Sequence, residues 1–152
     1  MRSTELQIET GNQATVVDIT SRVADFCTES GDGLVSIFLP HATAGLAIIE
    51  TGAGSDLDLI DAIDRTLPAE DGRWRHSHGS PGHGRDHVLP AFFSPSLTVP
   101  VREGKPILGT WQSIVLVDTN VDNPTRRVIL SFLGQAGAIS EGGPEGPPPR
   151  SG

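Results

Sequence analysis

Apolar residues alternate with polar ones, or form short unbroken runs, along most of the chain, and this pattern predicts a protein built mainly from strands. The predicted strands are ELQIET, ATVVDIT, LVSIFLP, TAGLAIIE, SLTVPV, ILGTWQSIVLVD and RRVILSFLG. The uninterrupted apolar run in LVSIFLP is typical of a buried strand. The turns GNQ and REGK each separate two predicted strands and indicate hairpins.

Two segments have the apolar spacing of amphipathic helices. TSRVADFCTES places Val23 and Phe26 on one face, and SDLDLIDAIDRTLP repeats Ile60 and Ile63 at helical spacing before Pro68 ends it. A single helical turn is predicted within HVLPAFFS. Because strands dominate and no βαβ alternation occurs, we predict an α+β fold with a mainly antiparallel or mixed sheet and two main helices.

The pattern also divides the chain into a domain and a tail. Residues 1–134 are expected to form one domain, which is long enough to bury a core without disulfides. Residues 135–152, QAGAISEGGPEGPPPRSG, are rich in glycine and proline and are predicted to be a flexible tail.

Composition and charge restrict the classes of function. The chain has no tyrosine and only 36% hydrophobic residues, so its core must be mainly aliphatic. A net charge of −8 would repel a phosphate backbone and argues against nucleic-acid binding. A single cysteine, Cys27, fits a reducing compartment, and we expect it to be a core residue. Since no signal peptide or membrane span is evident, a soluble cytoplasmic protein is expected.

A long irregular connection, WRHSHGSPGHGRDHV, carries four of the five histidines. Neutral imidazoles are good ligands for zinc and other late divalent ions. His76 and His78 would share a face in an extended segment, whereas His83 and His87 would share one only in a helix, which the neighbouring glycines argue against. The residues by themselves leave two interpretations open, a metal site and a solvated polar loop.

Other polar residues stand where a pocket could form. His41 lies between two predicted strands and precedes small residues that would let a ligand approach; a partly buried, hydrogen-bonded histidine is the alternative. Glu50 ends an apolar strand and is either an exposed strand terminus or a carboxylate directed at a site. Trp111 follows a glycine within a predicted strand, which is compatible with a pocket wall or with a core tryptophan.

Arg126 and Arg127 open the last predicted strand. Because alternate side chains of a strand point to opposite faces, one guanidinium could clamp an anion in a pocket while the other faces solvent. A surface salt bridge is the alternative for either residue.

Several motifs, taken in order, resemble the YjbQ-like family, also called the secondary thiamine-phosphate synthase enzyme family. They are HATAGLAIIE, two histidines eleven positions apart that end in DHV, SPSLTVPVREGKPILGTWQSIVLVD, and RRVILSF. The resemblance extends over about residues 6–133. It implies a single compact α+β domain with a curved mixed or antiparallel sheet, assembled as a homotrimer.

The resemblance also implies a site. The family's three histidines fall on His41, His76 and His87, and the resemblance implies that they converge on a divalent metal or on another ligand bound there. Three imidazoles suit zinc, nickel, copper and iron alike. We predict zinc as the metal, or magnesium together with a phosphorylated substrate. Glu50 would be one catalytic carboxylate. Members often carry an aspartate a few residues after it, where this chain has Thr51, Gly52 and Ala53; we predict that Asp58, or in its place Asp56, supplies that second catalytic carboxylate. The residues that would bind substrate are Thr43, Thr110, Trp111, Gln112, Arg126 and Arg127. Family members are linked to a weak thiamine-phosphate synthase activity, which needs cationic groups around the departing pyrophosphate and the remaining phosphate.

The chain departs from the family pattern at Gly82 and His83, where members carry an acidic pair, and at Leu89, where they often carry lysine. These departures bear on the transferase activity and leave the three family histidines in place. We therefore predict a metal-binding protein acting on phosphorylated small molecules. The alternatives are a metal-assisted hydrolase of a small phosphoester and a non-catalytic trimer that binds a metal or metabolite. A metal closed by a fourth ligand such as His78 would favour the non-catalytic alternative.

Overall fold

The computed structural model describes residues 1–134, the side chain of Asp71 excepted. The strands are β1 (Arg2–Glu9), β2 (Thr15–Asp18), β3 (Gly33–Phe38), β4 (Ala44–Ile49), β5 (Ser96–Arg102), β6 (Lys105–Pro106), β7 (Ser113–Asp118) and β8 (Thr125–Gly134). The helices are α1 (Thr20–Cys27), α2 (Ser55–Thr66) and α3 (His83–Asp86), with 3-10 turns at Asp71–Arg73 and Leu89–Ala91. The predicted tail, residues 135–152, lies outside the described residues.

The strands form two sheets, in which every pairing between described strands is antiparallel. One sheet has the order β1-β8-β3-β5-β6 and the other the order β2-β7-β4. The predicted α+β class in one compact domain is confirmed, and the curved sheet structure is antiparallel. The structure has a third, short helix in addition to the two that the apolar spacing predicts.

The core is aliphatic and lies on both sides of β7. Ile114 and Leu116 of this strand join the larger apolar cluster, which contains residues of β3, β5 and β8. Val115 and Val117 point the other way and pack with Ile63 of α2. Because successive side chains of a strand point to opposite faces, β7 is buried on both of them. Its end at Asp118 is thereby held rigidly, which matters for the site described below.

The first half of the strand predicted over ILGTWQSIVLVD does not form. Residues 109–112 make a tight turn in which the backbone N–H of Gln112 donates to the carbonyl of Gly109 at 2.9 Å. The side-chain oxygen of Gln112 in turn accepts the N–H of Gly109 at 2.8 Å. Since this amide satisfies the backbone locally, β7 begins only at Ser113.

The expectation that glycines prevent a helix around His83 and His87 is wrong, because here the glycines allow it. Gly82 takes the N-cap position of α3 with a φ of 90°, a conformation that other residues rarely adopt. Gly84 lies against the preceding segment so closely that an added Cβ would stand 2.6 Å from the carbonyl oxygen of His76. The glycines therefore permit a helical turn and its close packing against the histidine segment.

Crossing a bilayer as a helix takes about 20 consecutive apolar residues. Within residues 1–134 no helix is long and apolar enough to do so, and α2, the longest of them, has 12 residues. The cytoplasmic location expected from the sequence stays a prediction.

Candidate functional site

Four histidines of the long connection come together around α3. The ring centroids of His76 and His78 are 4.1 Å apart, those of His76 and His87 4.4 Å, and those of His83 and His87 4.7 Å. One ligand nitrogen each from His76, His83 and His87 lies within 4.8 Å of the others. We call these three residues the histidine cluster.

Two chain segments build the cluster. His83 is the first residue of α3 and His87 follows its last residue, so one helical turn places both on the same face. His76 comes from the segment that packs against Gly84. Trp74 anchors that segment by donating its Nε1–H to the carbonyl of Pro68 at 2.9 Å. The cluster therefore depends on the contact between the helix and the preceding loop.

The donor set fits a late divalent metal ion. Two ligands of a tetrahedral zinc ion are separated by about 3.3 Å, which follows from bonds of ~2.0 Å. The Nε2 atoms of His83 and His87 are 3.1 Å apart. The Nε2 atom of His76 is buried and has no hydrogen-bond partner among the described residues. Because an unsatisfied buried polar atom costs free energy, it is a ready ligand for an ion.

Electrostatics favour the neutral form of two cluster histidines. Desolvation, followed by the neighbouring imidazoles of His78, His87 and His83, lowers the pKa of His76. Desolvation and the imidazoles of His83 and His78 likewise lower the pKa of His87 and outweigh the opposing effect of Asp86. The neutral imidazole is the form that binds metal ions, so these pKa values favour binding near neutral pH.

His83 is also in contact with the loop between β7 and β8. Its Nδ1 lies 2.9 Å from Oδ2 of Asp122 and 3.4 Å from Nδ2 of Asn120. Asp122 accepts hydrogen bonds from the hydroxyl and the backbone N–H of Ser80. The hydroxyl bond is the main cause that lowers the pKa of Asp122. The carboxylate therefore contacts both the histidine loop and the cluster.

His41 stands outside the cluster within this one chain. Its Nε2 accepts the backbone N–H of Arg127 at 2.9 Å, and its Nδ1 lies 3.5 Å from the guanidinium of Arg126. Burial, followed by the charges of Arg126 and Arg127, lowers the pKa of His41. The structure thus shows a partly buried, hydrogen-bonded histidine. It is linked to the cluster through Arg126 and Asn120, and its role as a metal ligand stays a prediction.

The two arginines at the start of β8 point in opposite directions, as the alternation predicts. Arg126 is 1% exposed, and its guanidinium donates to both carboxylate oxygens of Asp118, at 2.6 and 2.9 Å. Arg127 is exposed and lies 3.4 Å from the carboxylate of Glu5 on β1. Arg126 is therefore already paired with a buried carboxylate, and Arg127 makes a surface ion pair.

A second group of predicted site residues lies at the opposite end of β7. The strand runs from Ser113 to Asp118, a distance of about 17 Å. Glu50 follows the end of β4 that pairs with Ser113, and the turn at Thr110–Gln112 directly precedes that residue. All these side chains are exposed, and Trp111 is 72% exposed rather than part of the core.

The remaining two predicted site residues, Thr43 and Asp58, lie towards opposite ends of β7. Thr43 is buried directly before β4, whose first residue, Ala44, pairs with Asp118. It therefore lies at the end of the sheet that carries His41. Asp58 is exposed in the first turn of α2, which follows the segment after Glu50. One chain thus brings together only part of the predicted site.

Three residues that contact or belong to the histidine cluster were not predicted from the sequence as site residues. For His83 the sequence held an indication, since its spacing of four from His87 suits one helical turn. Asp122 and Asn120 had a weaker one, in that the polar run TNVDNPT directly follows a buried strand. The sequence does not show that this run meets the histidine loop.

Comparisons with known proteins agree on the family. Residues 4–135 match the family model described as UPF0047 protein YjbQ-like. The UPF0047 protein Mb2586c of Mycobacterium bovis is 62% identical over 128 residues, which span 84% of this chain and 98% of that protein. The UPF0047 protein YugU of Bacillus subtilis is 34% identical over 134 residues, which span 85% and 97%.

A solved structure supports the same fold. It is a YbjQ-like protein of unknown function from Sulfolobus solfataricus P2, which matches with a TM-score of 0.81 and 28% identity over 88% of this chain and 97% of that chain. The resemblance inferred from the motifs is thereby confirmed for both family and fold. The chain belongs to the UPF0047 family of YjbQ-like proteins.

Proposed function

We propose that the histidine cluster binds a divalent transition-metal ion, with zinc as the first candidate. The observation that supports this is the convergence of three imidazole nitrogens, from two chain segments, within 4.8 Å. Imidazole nitrogen suits zinc and its neighbours, whereas magnesium prefers oxygen ligands. Magnesium is therefore a candidate only where a phosphorylated substrate brings oxygen ligands of its own.

Three protein ligands favour a site that is open to a further ligand, as in catalytic rather than structural zinc sites. His78 lies beside the cluster, with its ring centroid 5.0 Å from that of His83, but it is not one of the three converging residues. A bound cation would supply a Lewis acid for a phosphoryl or carbonyl oxygen. We therefore favour an enzyme over the non-catalytic alternative.

Small phosphorylated molecules are the ligand class that we propose, and phosphoester hydrolysis is the activity to assay first. Thiamine-phosphate synthesis joins two substrates that both carry phosphate groups. It therefore needs more cationic groups in the site than hydrolysis of one phosphoester does. Within one chain, Arg126 is bonded to Asp118 and Asn120 and is not free to hold a second phosphate. The transferase activity implied by the family resemblance is the second activity to assay.

Zinc titration by calorimetry, on protein without a histidine tag, tests the metal site. We expect about one zinc ion per chain and at least a tenfold loss of affinity in His83→Ala, because a direct ligand should matter at least as much as the residues that orient ligands. His41→Ala is the matched comparison, since it removes an imidazole outside the cluster. Retained binding in His83→Ala together with loss in His41→Ala would favour His41, His76 and His87 as the ligand set. No saturable zinc binding by the wild type would refute the proposal.

A further inference from the structure

Asp122 has a position that the proposed metal site does not by itself explain. Among the contacts between carboxylates and basic side chains of the described residues, the one that includes a histidine joins Asp122 to His83. The carboxylate lies on the β7–β8 loop, 39 positions from that histidine. Its other partners are the hydroxyl and backbone N–H of Ser80 in the histidine loop.

The side chain of Asn120 holds this loop in place. It is 1% exposed, and its Oδ1 accepts the backbone N–H groups of Asp122 at 3.1 Å and of Asn123 at 3.2 Å. Its Nδ2 donates to a carboxylate oxygen of Asp86, in α3, at 3.0 Å. One buried amide thus joins the loop that carries Asp122 to the helix that carries His83.

These contacts distinguish the two neutral tautomers of His83. Nδ1 faces both the carboxylate of Asp122, at 2.9 Å, and the amide nitrogen of Asn120, at 3.4 Å. A carboxylate accepts a proton, whereas an amide nitrogen donates one, so the two neighbours favour opposite tautomers. The carboxylate is closer, and the amide nitrogen already has Asp86 as an acceptor.

We propose that Asp122 is a positioning residue for His83: it accepts the Nδ1–H and leaves the lone pair of Nε2 directed at the cluster. This rests on the proposed metal site and deepens it. Histidine ligands commonly donate their second ring N–H to a carboxylate, which fixes the ring and makes the other nitrogen a better ligand. The Nε2 of His83 already lies 3.1 Å from the Nε2 of His87.

The first measurement needs no metal. Long-range ¹H–¹⁵N correlation spectra of the metal-free protein at neutral pH report the tautomer of each histidine, and the spectrum of His83→Gln assigns the resonances of His83. We expect the wild type to carry the proton on Nδ1 and Asp122→Ala to show a mixture of tautomers. If the alanine variant disturbs the fold, Asp122→Asn is the second variant. Its side chain has the same shape as that of aspartate and can still contact Ser80.

The second measurement is zinc affinity of the same proteins by calorimetry. Loss of a carboxylate that orients a histidine ligand lowers metal affinity by about 10–100-fold, and we expect that range for Asp122→Ala. Glu70→Ala is the matched control, because it removes one negative charge from an exposed residue whose partner is Arg73. It should change the zinc affinity by less than twofold.

The outcomes separate this inference from the proposed function. A wild-type His83 that is protonated on Nε2 would overturn the role of Asp122, whatever the zinc affinity. An Asp122→Ala variant with unchanged tautomer and unchanged affinity would do the same. If the wild type binds no zinc, the metal site fails; the Nδ1–H tautomer and its loss in the variant would still support Asp122 as the residue that orients His83.

Discussion

At the scale of single residues, the polar groups near His41 are arranged around one buried ion pair. Arg126 is paired in a bidentate manner with Asp118, and both side chains are 1% exposed. A buried charge pair of this kind is costly to break, because either partner left alone would be an uncompensated charge. Arg126 also contacts His41 and Asn120. The pair therefore serves as a fixed support around which the polar groups of the site are arranged.

The pH dependence of stability is a prediction at this scale. The pKa of His41 is lowered in the folded protein by burial and by the two arginines, and those of His76 and His87 are lowered by desolvation and neighbouring imidazoles. An unfolded chain therefore binds more protons than the folded one just below pH ~6.5, the ordinary histidine pKa. The stability that these groups contribute is complete above that pH and is lost as the pH falls.

Thermal unfolding of the metal-free protein between pH 8 and pH 5 tests this. We expect the melting temperature to decrease below pH ~6.5. His41→Asn, whose side-chain oxygen can accept the N–H of Arg127, should show a shallower decrease. A melting temperature that rises on acidification through this range would contradict the prediction.

At the scale of elements, α3 depends on its neighbours. It spans four residues, too few for an isolated helix to be stable in water. Arg85, which is buried, pairs with Asp64 of α2. Asp86, also buried, accepts hydrogen bonds from Thr119 at 2.6 Å and from Asn120. Tertiary contacts on both sides therefore stabilise the turn that places His83 and His87 on one face.

Gly84→Ala tests the packing of this element. Alanine favours a helix by intrinsic propensity, but its Cβ would meet the carbonyl oxygen of His76 and the Cβ of Trp74, each at 2.6 Å. We expect a loss of about 1–3 kcal/mol in the free energy of unfolding, typical of overpacking, together with weaker zinc binding.

Gly72→Ala is the matched control, because an added Cβ there would meet nothing within 4 Å. Chemical denaturation and zinc titration of both variants provide the comparison. A stabilised Gly84→Ala variant with full zinc affinity would show that close packing of α3 against the His76 segment is unnecessary.

At the scale of the whole molecule, the predicted site residues lie at two ends of the β2-β7-β4 sheet. His41, Thr43 and Arg126 are at the Asp118 end, and Trp111 is among those at the Ser113 end. A second copy of the chain could bring the two groups together. The family resemblance implies a homotrimer, and we propose that assembly here, with Trp111 at the interface between copies.

Light scattering coupled to size-exclusion chromatography tests the assembly. We expect a mass of about 48 kDa, three times the chain mass of 16.0 kDa. Trp111→Ala should shift the protein towards smaller species, since buried aromatic residues dominate interface energies. Phe92→Ala, which removes a side chain that is 61% exposed, is the matched control. A wild-type monomer at micromolar concentration would rule out the trimer.

Much of the fold follows from local patterns. The apolar runs and alternation located the strands and the two main helices, because side-chain periodicity reports which faces must leave water. The exceptions have causes that the periodicity of apolar residues does not show. Gln112 closes a turn with its own amide, and Gly84 permits close contact with the segment that precedes α3. The sequence also shows that the loop contains four histidines, but it does not predict how their rings are arranged.

The strand-rich class, the aliphatic core and the family could be predicted from the sequence, since these depend on the order of residue types along the chain. The three-dimensional structure was needed to show that His83 joins His76 and His87, that Asp122 and Asn120 contact His83, and that Arg126 is paired with Asp118. Contacts between segments depend on which surfaces the core holds against one another. Neither the spacing of residues nor their type specifies the partner of a side chain 39 positions away.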